Sequence, residues 1–397
     1  MATPLEGIKV VEMARGWAGP GAGMYLADQG AMVIKVEPPG GDDARRFYTS
    51  APIQGEDRGF LVVNRNKRGM VVSLATERGR EIVHRLLEDT DVFLENFRPG
   101  VAEKLGMDYD TLHPRHPRLI YASLSGLGAR GPYSGLPAYD MVVQAFSGIM
   151  GQRHHPDGTP MNAGVWVTDC STPMMLAYGI TLALLVRERT GVGQRVETAL
   201  LNQGLAMQSV ELVRGEADRQ RAPQKYSAQP MYSPYQCADG QWLVCVVVNN
   251  DQWHRLCRAL DAEALAEDPE FDDPLKRARG TEVLYAIMSN LYASRPRDEW
   301  LEVLREADLA VAPVLRREEV FTHPQFLEND LIAEVEHPTA GKLNMMGIPV
   351  KLSETPPRTP ESTVASPTLG QHTRQVLLEH GFSETDVASL YDEGIVG

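Results

Sequence analysis

"IKVVEMARGWAGPGAGMYLADQGAMVIKVE", residues 8–37, is the segment that decides the fold. Its two ends, residues 8–13 and 32–37, are apolar runs of strand length. The residues between them, 19–30, lead from a glycine-rich loop into a helix. Two apolar strands joined through a helix are typical of a βαβ unit on a parallel sheet that is buried on both faces.

The same alternation continues through residue 200. It predicts further strands over 70–74, 91–96, 118–126, 164–167 and 194–200, with helices over 77–90, over 139–150 and up to about 188. We therefore predict an α/β fold whose large domain, residues 1–200, is a Rossmann-like doubly wound parallel sheet. Two short helices near the C-terminus, in residues 373–397, are expected to complete it.

The pattern changes after residue 200. We predict a linker over 201–228 and a smaller α+β domain over 229–319, which contains a hairpin turning at Asp239–Gly240. A proline-rich stretch, 320–372, is predicted to be a second, extended linker. The expected organisation is thus a large and a small domain joined by long linkers.

Bulk composition excludes several classes of partner. The 397 residues include 39 Lys and Arg against 53 Asp and Glu, so the net charge is −14. This charge disfavours nucleic acid and anionic membrane surfaces. The N-terminus shows no signal-peptide pattern, and no uninterrupted apolar run reaches membrane-spanning length. Four cysteines without CxxC spacing favour a cytoplasmic location.

Four motifs in loops each allow two interpretations. The glycines of "RGWAGPGAG" (15–23) do not form G-x-G-x-x-G, which favours a tight turn over dinucleotide binding. "RNKRG" (65–69) is either a solvated loop or a place for phosphates. "ENFRPG" (95–100) is either turn chemistry or a ligand loop. The glycine-rich loop 126–140 is long enough to form a lid or a wall.

Asp169 stands out by its position. It lies between the predicted strand 164–167 and a predicted helix start at Thr172–Pro173. The helix dipole is expected to keep its carboxylate ionised, and an ionised carboxylate can act as a covalent nucleophile. From position alone, a structural acid is the more common role. HExxH, metal-binding Cys or His spacing, G-x-S-x-G and P-loop motifs do not occur, so no metal ligand is predicted.

Taken together and in order, these segments resemble the family III CoA-transferases, the CaiB/BaiF group that includes formyl-CoA transferase and carnitine CoA-transferase. The likeness covers nearly the whole chain. The stretches that carry it are "LEGIKVVEMARGWAGP", "LADQGAMVIKVEPPGGDD", "NRNKRGMVVSL", "ENFRPGVAEKLGMDYDTL", "PRLIYASLSGLGARGPYSGLPAYDMVVQAFSG", "RERTGVGQRVETAL", "HPQF" and "GIPVKLSETP".

The resemblance implies transfer of CoA from an acyl-CoA donor to a small carboxylic acid acceptor. It makes Asp169 the nucleophile, which forms a mixed anhydride and then an aspartyl-CoA thioester. CoA thioesters are then substrates, and no permanently bound cofactor is expected. The resemblance also implies an interlocked homodimer. The residues that it places in contact with CoA are Trp17, Ala18, Leu74, Asn96, Phe97, Arg98, Lys104, Tyr139 and Asp140, of which Arg98 and Lys104 are the expected phosphate partners.

Some positions depart from the family pattern. Trp17 stands where formyl-CoA transferases carry Gln, Pro38 replaces an Arg, and "VVNNDQWHRL" (247–256) replaces a run of glycines. Formate and oxalate are therefore not the expected substrates. The racemases of the family carry a His where this chain has Tyr139, which favours transfer over α-proton chemistry. An acyl-CoA racemase or isomerase, and a non-catalytic acyl-CoA-binding homologue, remain as alternatives.

Overall fold

The computed structural model describes residues 2–47, 50–155, 157–216 and 229–397. The chain forms two compact units. Unit 1 consists of Met1–Glu216 together with Pro324–Gly397, and unit 2 is Ala217–His323. The helices and strands of the first part of unit 1 are β1 (Lys9–Glu12), α1 (Ala18–Asp28), β2 (Met32–Glu37), α2 (Arg58–Val63), β3 (Arg68–Val71), α3 (Glu77–Leu86), β4 (Val92–Glu95), α4 (Val101–Leu105), α5 (Tyr109–Leu112), β5 (Ile120–Ser125), α6 (Asp140–Phe146), α7 (Val167–Thr190), β6 (Arg195–Ala199) and α8 (Leu200–Ala206).

A six-stranded parallel sheet forms the centre of unit 1. Its strand order is β3-β2-β1-β4-β5-β6. The order reverses between β1 and β4, and doubly wound sheets bind ligands in the crevice outside the carboxyl ends of the strands at such a point. The βαβ unit predicted over residues 8–37 is confirmed as β1, α1 and β2.

Both faces of the sheet are buried. Val10 of β1 packs in a core with Ala22 of α1 and Ile180 of α7. Its neighbour Val11 faces the other side and packs in a core that includes Ile82 of α3. Adjacent residues of a strand point to opposite faces, so a sheet covered by helices on both sides requires strands that are apolar throughout. The predicted doubly wound α/β class is confirmed.

The glycine-rich segment after β1 differs from the prediction of a loop. The helix α1 already begins at Ala18, so Gly19, Gly21 and Gly23 lie inside it. A Cβ on Gly21 would lie 2.8 Å from the ring of Pro173, and a Cβ on Gly23 would lie 1.8 Å from Glu12 Oε2. These glycines permit close packing of α1 against α7 and against a buried acid, and that contact outweighs their low helix propensity.

The strand predicted over residues 164–167 is wrong, and so is the helix start at Thr172–Pro173. The helix α7 begins at Val167, and Pro173 lies inside it. Val165 and Trp166 are apolar but exposed, so their hydrophobicity does not signal a buried strand. Asp169 consequently lies in the first turn of α7 rather than at the end of a strand.

The helix α7 is long and apolar. It has 24 residues, and by length and composition alone it is the one described helix that could cross a membrane. One side of it is buried against the core, through residues such as Leu176 and Ile180. A buried core helix meets the same length and composition criteria, so this is weak evidence for a membrane segment.

Unit 2 is built on a three-stranded antiparallel sheet. Its strands, in order across the sheet, are β7 (Pro234–Gln236), β8 (Trp242–Val246) and β9 (Ala310–Pro313). The turn at Asp239–Gly240 joins β7 to β8 as predicted, and Gly240 has a φ of 77°. Large aromatic side chains, Trp253, Tyr292 and Trp300, fill its core. The helices of unit 2 are α9 (Asn250–Ala259), α10 (Glu263–Ala266), α11 (Pro274–Arg279), α12 (Thr281–Tyr292), α13 (Arg297–Glu306) and α14 (Arg317–Val320).

The chain over residues 320–372, for which the sequence predicts an extended linker, contains regular structure. A two-stranded antiparallel hairpin lies within it and packs, through Val335 and Leu343, on Leu61 of α2. The last two helices pack into the core that contains Val11 and Ile82, on one face of the sheet. The elements of this C-terminal part are α15 (Pro324–Leu327), β10 (Ile332–His337), β11 (Gly341–Met346), α16 (Thr373–Glu379) and α17 (Glu384–Asp392).

The linker predicted over residues 201–228 also begins differently. Residues 201–206 continue α8, which starts at Leu200. Residues 217–228 lie outside the described part of the chain. The boundary between the two units, after Glu216, falls inside the predicted linker.

Candidate active site

A cleft of about 910 Å³ opens at the carboxyl edge of the sheet in unit 1. The loops that follow β1, β2, β3, β4 and β5 all contribute to it, as expected for a parallel sheet. Of the residues predicted to form the site, those that line this cleft are Trp17, Ala18, Leu74, Asn96, Phe97, Arg98, Tyr139, Asp140 and Asp169. Lys104 does not line it and is exposed on α4.

Asp169 lies in the first turn of α7 and is half-buried. Its backbone N–H donates to Asp140 Oδ1 at 3.3 Å. Within the described residues, no side chain or backbone group donates a hydrogen bond to the Asp169 carboxylate or forms an ion pair with it. The side chain is therefore available to a ligand in the cleft, which is the arrangement that a carboxylate nucleophile requires.

Asp140, which is buried, supplies the cap of α7 from outside that helix. Its Oδ1 accepts hydrogen bonds at 2.7 Å from both the backbone N–H and the hydroxyl of Thr168. Gln144 donates to the other oxygen of Asp140 and also to the carbonyl of Val165 at 3.1 Å. These contacts fix the start of α7 and make Asp140 a structural acid, because a helix N-terminus needs acceptors for its free N–H groups.

The electrostatic surroundings of Asp169 differ from the expectation that the helix dipole keeps it ionised. Burial, with a further contribution from the negative charge of Asp140, raises the pKa of Asp169 to about 7. Desolvation penalises the charged form, and a neighbouring carboxylate adds to that penalty. The ionised form is thus less stable and more basic than a solvated carboxylate, which strengthens it as a nucleophile.

An aromatic pair stands beside this carboxylate. The rings of Trp17 and Trp166 stack at a centroid distance of 3.8 Å with 19° between their planes. Trp17 also meets the ring of Phe47 edge-on at 5.8 Å. Trp166 directly precedes α7, so the stack joins the loop after β1 to the helix that carries Asp169. The sequence interpretation missed Trp166 because it assigned that residue to a strand.

The loop between β1 and α1 is held largely by side chains. The amide of Asn96 accepts from the Arg15 N–H at 2.8 Å and donates to the Arg15 carbonyl at 2.7 Å. Asn96, predicted as a CoA contact, therefore also has a structural role. Arg15 lines the cleft and has an exposed side chain, and it was missed although it lies within the quoted "RGWAGPGAG" segment.

The cluster "RNKRG" matches neither of its interpretations. Arg65 forms two hydrogen bonds to Asp28, at 3.0 and 2.7 Å, and both side chains are fully buried. Lys67 is equally buried and donates to Glu12 Oε2 at 2.7 Å. Burial lowers the pKa of Lys67 to about 8, in spite of the opposing charge of Glu12. Arg65 and Lys67 are paired with buried acids, so they are not available to bind phosphates.

Two exposed cations remain for an anionic ligand at the cleft, Arg15 and Arg98. The described part of the chain provides no ion-pair partner for either guanidinium. Arginine is well suited to phosphates and carboxylates because its planar fork can donate two parallel hydrogen bonds. No group of three or more His, Cys, Asp or Glu side chains in the described residues is arranged to hold a metal ion.

The doubly wound α/β unit places a desolvated carboxylate, free arginines and an aromatic wall in one nucleotide-sized cleft. Such a cleft is suited to acyl transfer from a large anionic substrate. The chain belongs to CoA-transferase family III, whose family model matches residues 5–373. The family and the enzyme class predicted from the sequence are thereby confirmed, and the chain is a CoA-transferase.

Individual relatives agree with this membership. A succinate–glutarate CoA-transferase of Agrobacterium fabrum is 38% identical over 391 residues, which cover 95% of each chain. An acyl-CoA transferase of Fusarium pseudograminearum is 36% identical over 99% of this chain and 88% of its own length. The crystal structure of Rv3272 from Mycobacterium tuberculosis superposes with a TM-score of 0.83 at 32% identity, covering 95% of this chain and 99% of that one.

Proposed function

We propose that the protein transfers CoA between an acyl-CoA donor and a small carboxylic acid, with Asp169 as the covalent nucleophile. The observation that carries the proposal is the Asp169 carboxylate itself. It is half-buried, has no ionic partner in the described structure, and shares one cleft with Arg15 and Arg98. A nucleophile so placed can reach a thioester carbonyl whose CoA moiety is held by the same cleft.

In the first half-reaction, an oxygen of Asp169 attacks the thioester carbonyl carbon of the donor. The C–S bond breaks, CoA leaves as the thiolate, and a mixed anhydride joins the acyl group to Asp169. The thiolate then attacks the aspartyl carbonyl of that anhydride. The donor acid departs as a carboxylate, and an aspartyl-CoA thioester remains on the enzyme.

The second half-reaction repeats these steps in reverse. The acceptor carboxylate attacks the aspartyl-CoA carbonyl, which forms a new mixed anhydride and releases the thiolate. Attack of the thiolate on the acceptor carbonyl then gives the product thioester and restores Asp169. One thioester replaces another, so no nucleotide triphosphate is consumed and no permanently bound cofactor is needed.

Two features of the cleft favour these steps over hydrolysis. The stack of Trp17 on Trp166 supplies an apolar wall beside Asp169, and water must be kept from every intermediate. The glycine-rich loop that follows β5 lines the same cleft through Gly126 and Gly135, and backbone N–H groups of such a loop can stabilise a developing oxyanion.

The acids exchanged are proposed to be small carboxylates other than formate and oxalate. One relative is named for succinate and glutarate, so succinyl-CoA is the first donor and glutarate the first acceptor to test. Trp17 occupies the cleft where formyl-CoA transferases carry Gln, and a bulky indole there changes the space next to the nucleophile.

A screen of acyl-CoA donors against a panel of carboxylic acids tests the proposal, with new thioesters as the readout. We expect transfer with the wild-type chain and a loss of at least about a thousandfold for Asp169→Asn, because the amide cannot form the anhydride. Binding of acyl-CoA without transfer, in the wild-type chain as in Asp169→Asn, would favour the non-catalytic homologue. Incorporation of deuterium at the α-carbon in D₂O would favour a racemase or isomerase.

We also propose that the protein acts as a homodimer, as the family resemblance implies. Support comes from α7, whose outer side is exposed and strongly apolar although its inner side is buried. A second copy of the chain is the proposed occupant, and light scattering tests it. The exposed apolar residues of that side are Met174, Met175, Tyr178, Leu182, Leu185 and Val186.

A cytoplasmic location is proposed on the grounds of composition. The four cysteines, Cys170, Cys237, Cys245 and Cys257, are all free thiols. Unpaired cysteines are typical of reducing compartments. Cell fractionation with an antibody against the chain tests the location.

A further inference from the structure

A buried cluster of four charged side chains, of which Asp42 lines the cleft, has been given no role in catalysis. The polar cluster consists of Glu12, Lys35, Asp42 and Lys67, and none of them is more than 2% exposed. Lys35 donates to Asp42 at 2.9 Å and to Glu12 at 3.4 Å, and Lys67 donates to both oxygens of Glu12. Two acids and two bases balance, so the cluster carries no net charge.

Stability alone is a poor explanation for such a cluster. Removing charges from water costs several kcal/mol per ion, and apolar replacements of buried ion pairs are often as stable or more stable. Two apolar cores that pack on the same sheet already provide the burial that stabilises unit 1. A buried cluster of this kind is better explained by what it holds in place.

The cluster makes three hydrogen bonds to the backbone of one short segment, Ala14–Pro20. Lys35 donates to the Ala14 carbonyl at 2.9 Å, and Lys67 donates to the Pro20 carbonyl at 2.7 Å. Asp42 accepts from the Gly16 N–H at 3.2 Å. Side chains therefore bind backbone groups of the loop between β1 and α1 and of the first turn of α1, and they fix the path of this segment.

That segment carries Trp17, whose ring stacks on Trp166 three residues before Asp169. A chain of contacts thus runs from the buried charges through the backbone to the wall of the cleft. Gly16 has a φ of 77°, so the backbone just before Trp17 takes a conformation that L side chains rarely adopt. Glycine reaches this conformation without strain but also many others, and the hydrogen bond from its N–H to Asp42 favours this one.

We propose that Lys35, Asp42 and Lys67 are positioning residues that fix the Ala14–Pro20 segment, so that Trp17 stacks on Trp166 and forms the wall of the cleft beside Asp169. They act through Trp17 and do not touch the reacting atoms. The kinetic part of this inference rests on the proposed CoA transfer, whereas the structural part does not.

The pair replacement Lys35→Met/Asp42→Leu tests the inference. It removes one acid and one base together, so no buried charge is left unpaired, and Glu12 keeps Lys67 as its partner. The matched control is Arg65→Met/Asp28→Leu, which removes an equally buried ion pair that makes no contact with the Ala14–Pro20 segment among the described hydrogen bonds.

Two readouts separate positioning from general destabilisation. Stacked indoles give an exciton couplet in ultraviolet circular dichroism, which is assigned to this stack by its loss in Trp166→Phe. In the Lys35/Asp42 variant we expect the couplet to fall to less than about half and kcat/KM to fall about tenfold or more. In the control, the couplet and kcat/KM should stay within about twofold, whatever happens to the melting temperature.

A wild-type couplet and wild-type kinetics in the folded Lys35/Asp42 variant overturn the inference, and so does an equal loss in the control. If the pair variant does not fold, Lys35→Met alone gives the answer. In that variant Asp42 keeps its two backbone donors, Gly16 and Ala44, and the couplet should still weaken. If the wild-type chain transfers no CoA, the proposed function is refuted, and a weakened couplet in the variant would still support positioning.

Discussion

The raised pKa of Asp169 has a consequence for stability that can be measured without any substrate. A pKa raised from 3.8 to about 7 makes the ionised carboxylate about 4 kcal/mol less favourable in the folded chain than in the unfolded chain. The neutral variant Asp169→Asn should therefore unfold less readily than the wild type at neutral and alkaline pH.

The sign of the effect fixes its pH dependence. Between the unfolded and folded pKa values the folded chain holds the proton that the unfolded chain has lost, so wild-type stability falls as pH rises through this window. The gain of Asp169→Asn should be absent below about pH 4, about 2 kcal/mol near pH 5.5 and about 4 kcal/mol above pH 7. Urea denaturation at about pH 5.5 and about pH 8 measures both values.

Cys170→Ser serves as the control, because burial keeps the pKa of the Cys170 thiol above its usual value and the side chain is neutral at both pH values. Its effect on stability should be the same at both. In the double variant Asp169→Asn/Asp140→Asn, removal of the Asp140 charge should add little stability through relief of repulsion, because the side chain at position 169 is already neutral. A gain for Asp169→Asn that does not change with pH would refute the reasoning.

Three further predictions concern rate, binding and packing. The kcat/KM for an acyl-CoA donor should rise with pH to a plateau, with a midpoint near 7, because the ionised Asp169 is the proposed nucleophile and burial raises its pKa to about 7; a profile that is flat from about pH 5 to 9 contradicts this. Arg98→Ala should raise the KM for the donor about tenfold with kcat nearly unchanged, because one charge-assisted hydrogen bond to the donor is lost. Steady-state kinetics measures both constants, and a change in kcat alone would contradict this prediction. Gly23→Ala should destabilise the chain by about 3 kcal/mol or more, because its Cβ would lie 1.8 Å from Glu12 Oε2. The control is Gly40→Ala, whose Cβ would have no atom within 4 Å, and this variant should have the melting temperature of the wild type.

The parts of the fold that the sequence predicts well are those in which local pattern and burial agree. The central residues of the two strands in 8–37, such as Val10, Val11, Val33 and Ile34, are apolar on both sides because both sheet faces are covered, and the βαβ unit follows directly. The motif resemblance also brings together, in one cleft, residues as distant in the chain as Trp17 and Asp169. Position at the carboxyl ends of parallel strands explains why residues from separate loops meet there.

Prediction fails where the deciding partner is remote or where apolar residues are exposed. Arg65 pairs with Asp28, 37 positions away, and Lys67 with Glu12, 55 positions away, so the local charge run does not reveal that its cations are buried. Trp166 is apolar yet exposed, because it lines a cleft rather than a core. A short apolar run carries no information on which of these environments it occupies.

Trapping the covalent intermediate on Asp169 tests the central claim most directly. The wild-type chain is incubated with the acyl-CoA donor identified in the screen, treated with hydroxylamine or borohydride, digested and examined by peptide mass spectrometry. We expect a hydroxamate or a reduced side chain at Asp169, dependent on the donor. An unmodified Asp169 peptide from a sample that turns over at full rate would contradict it.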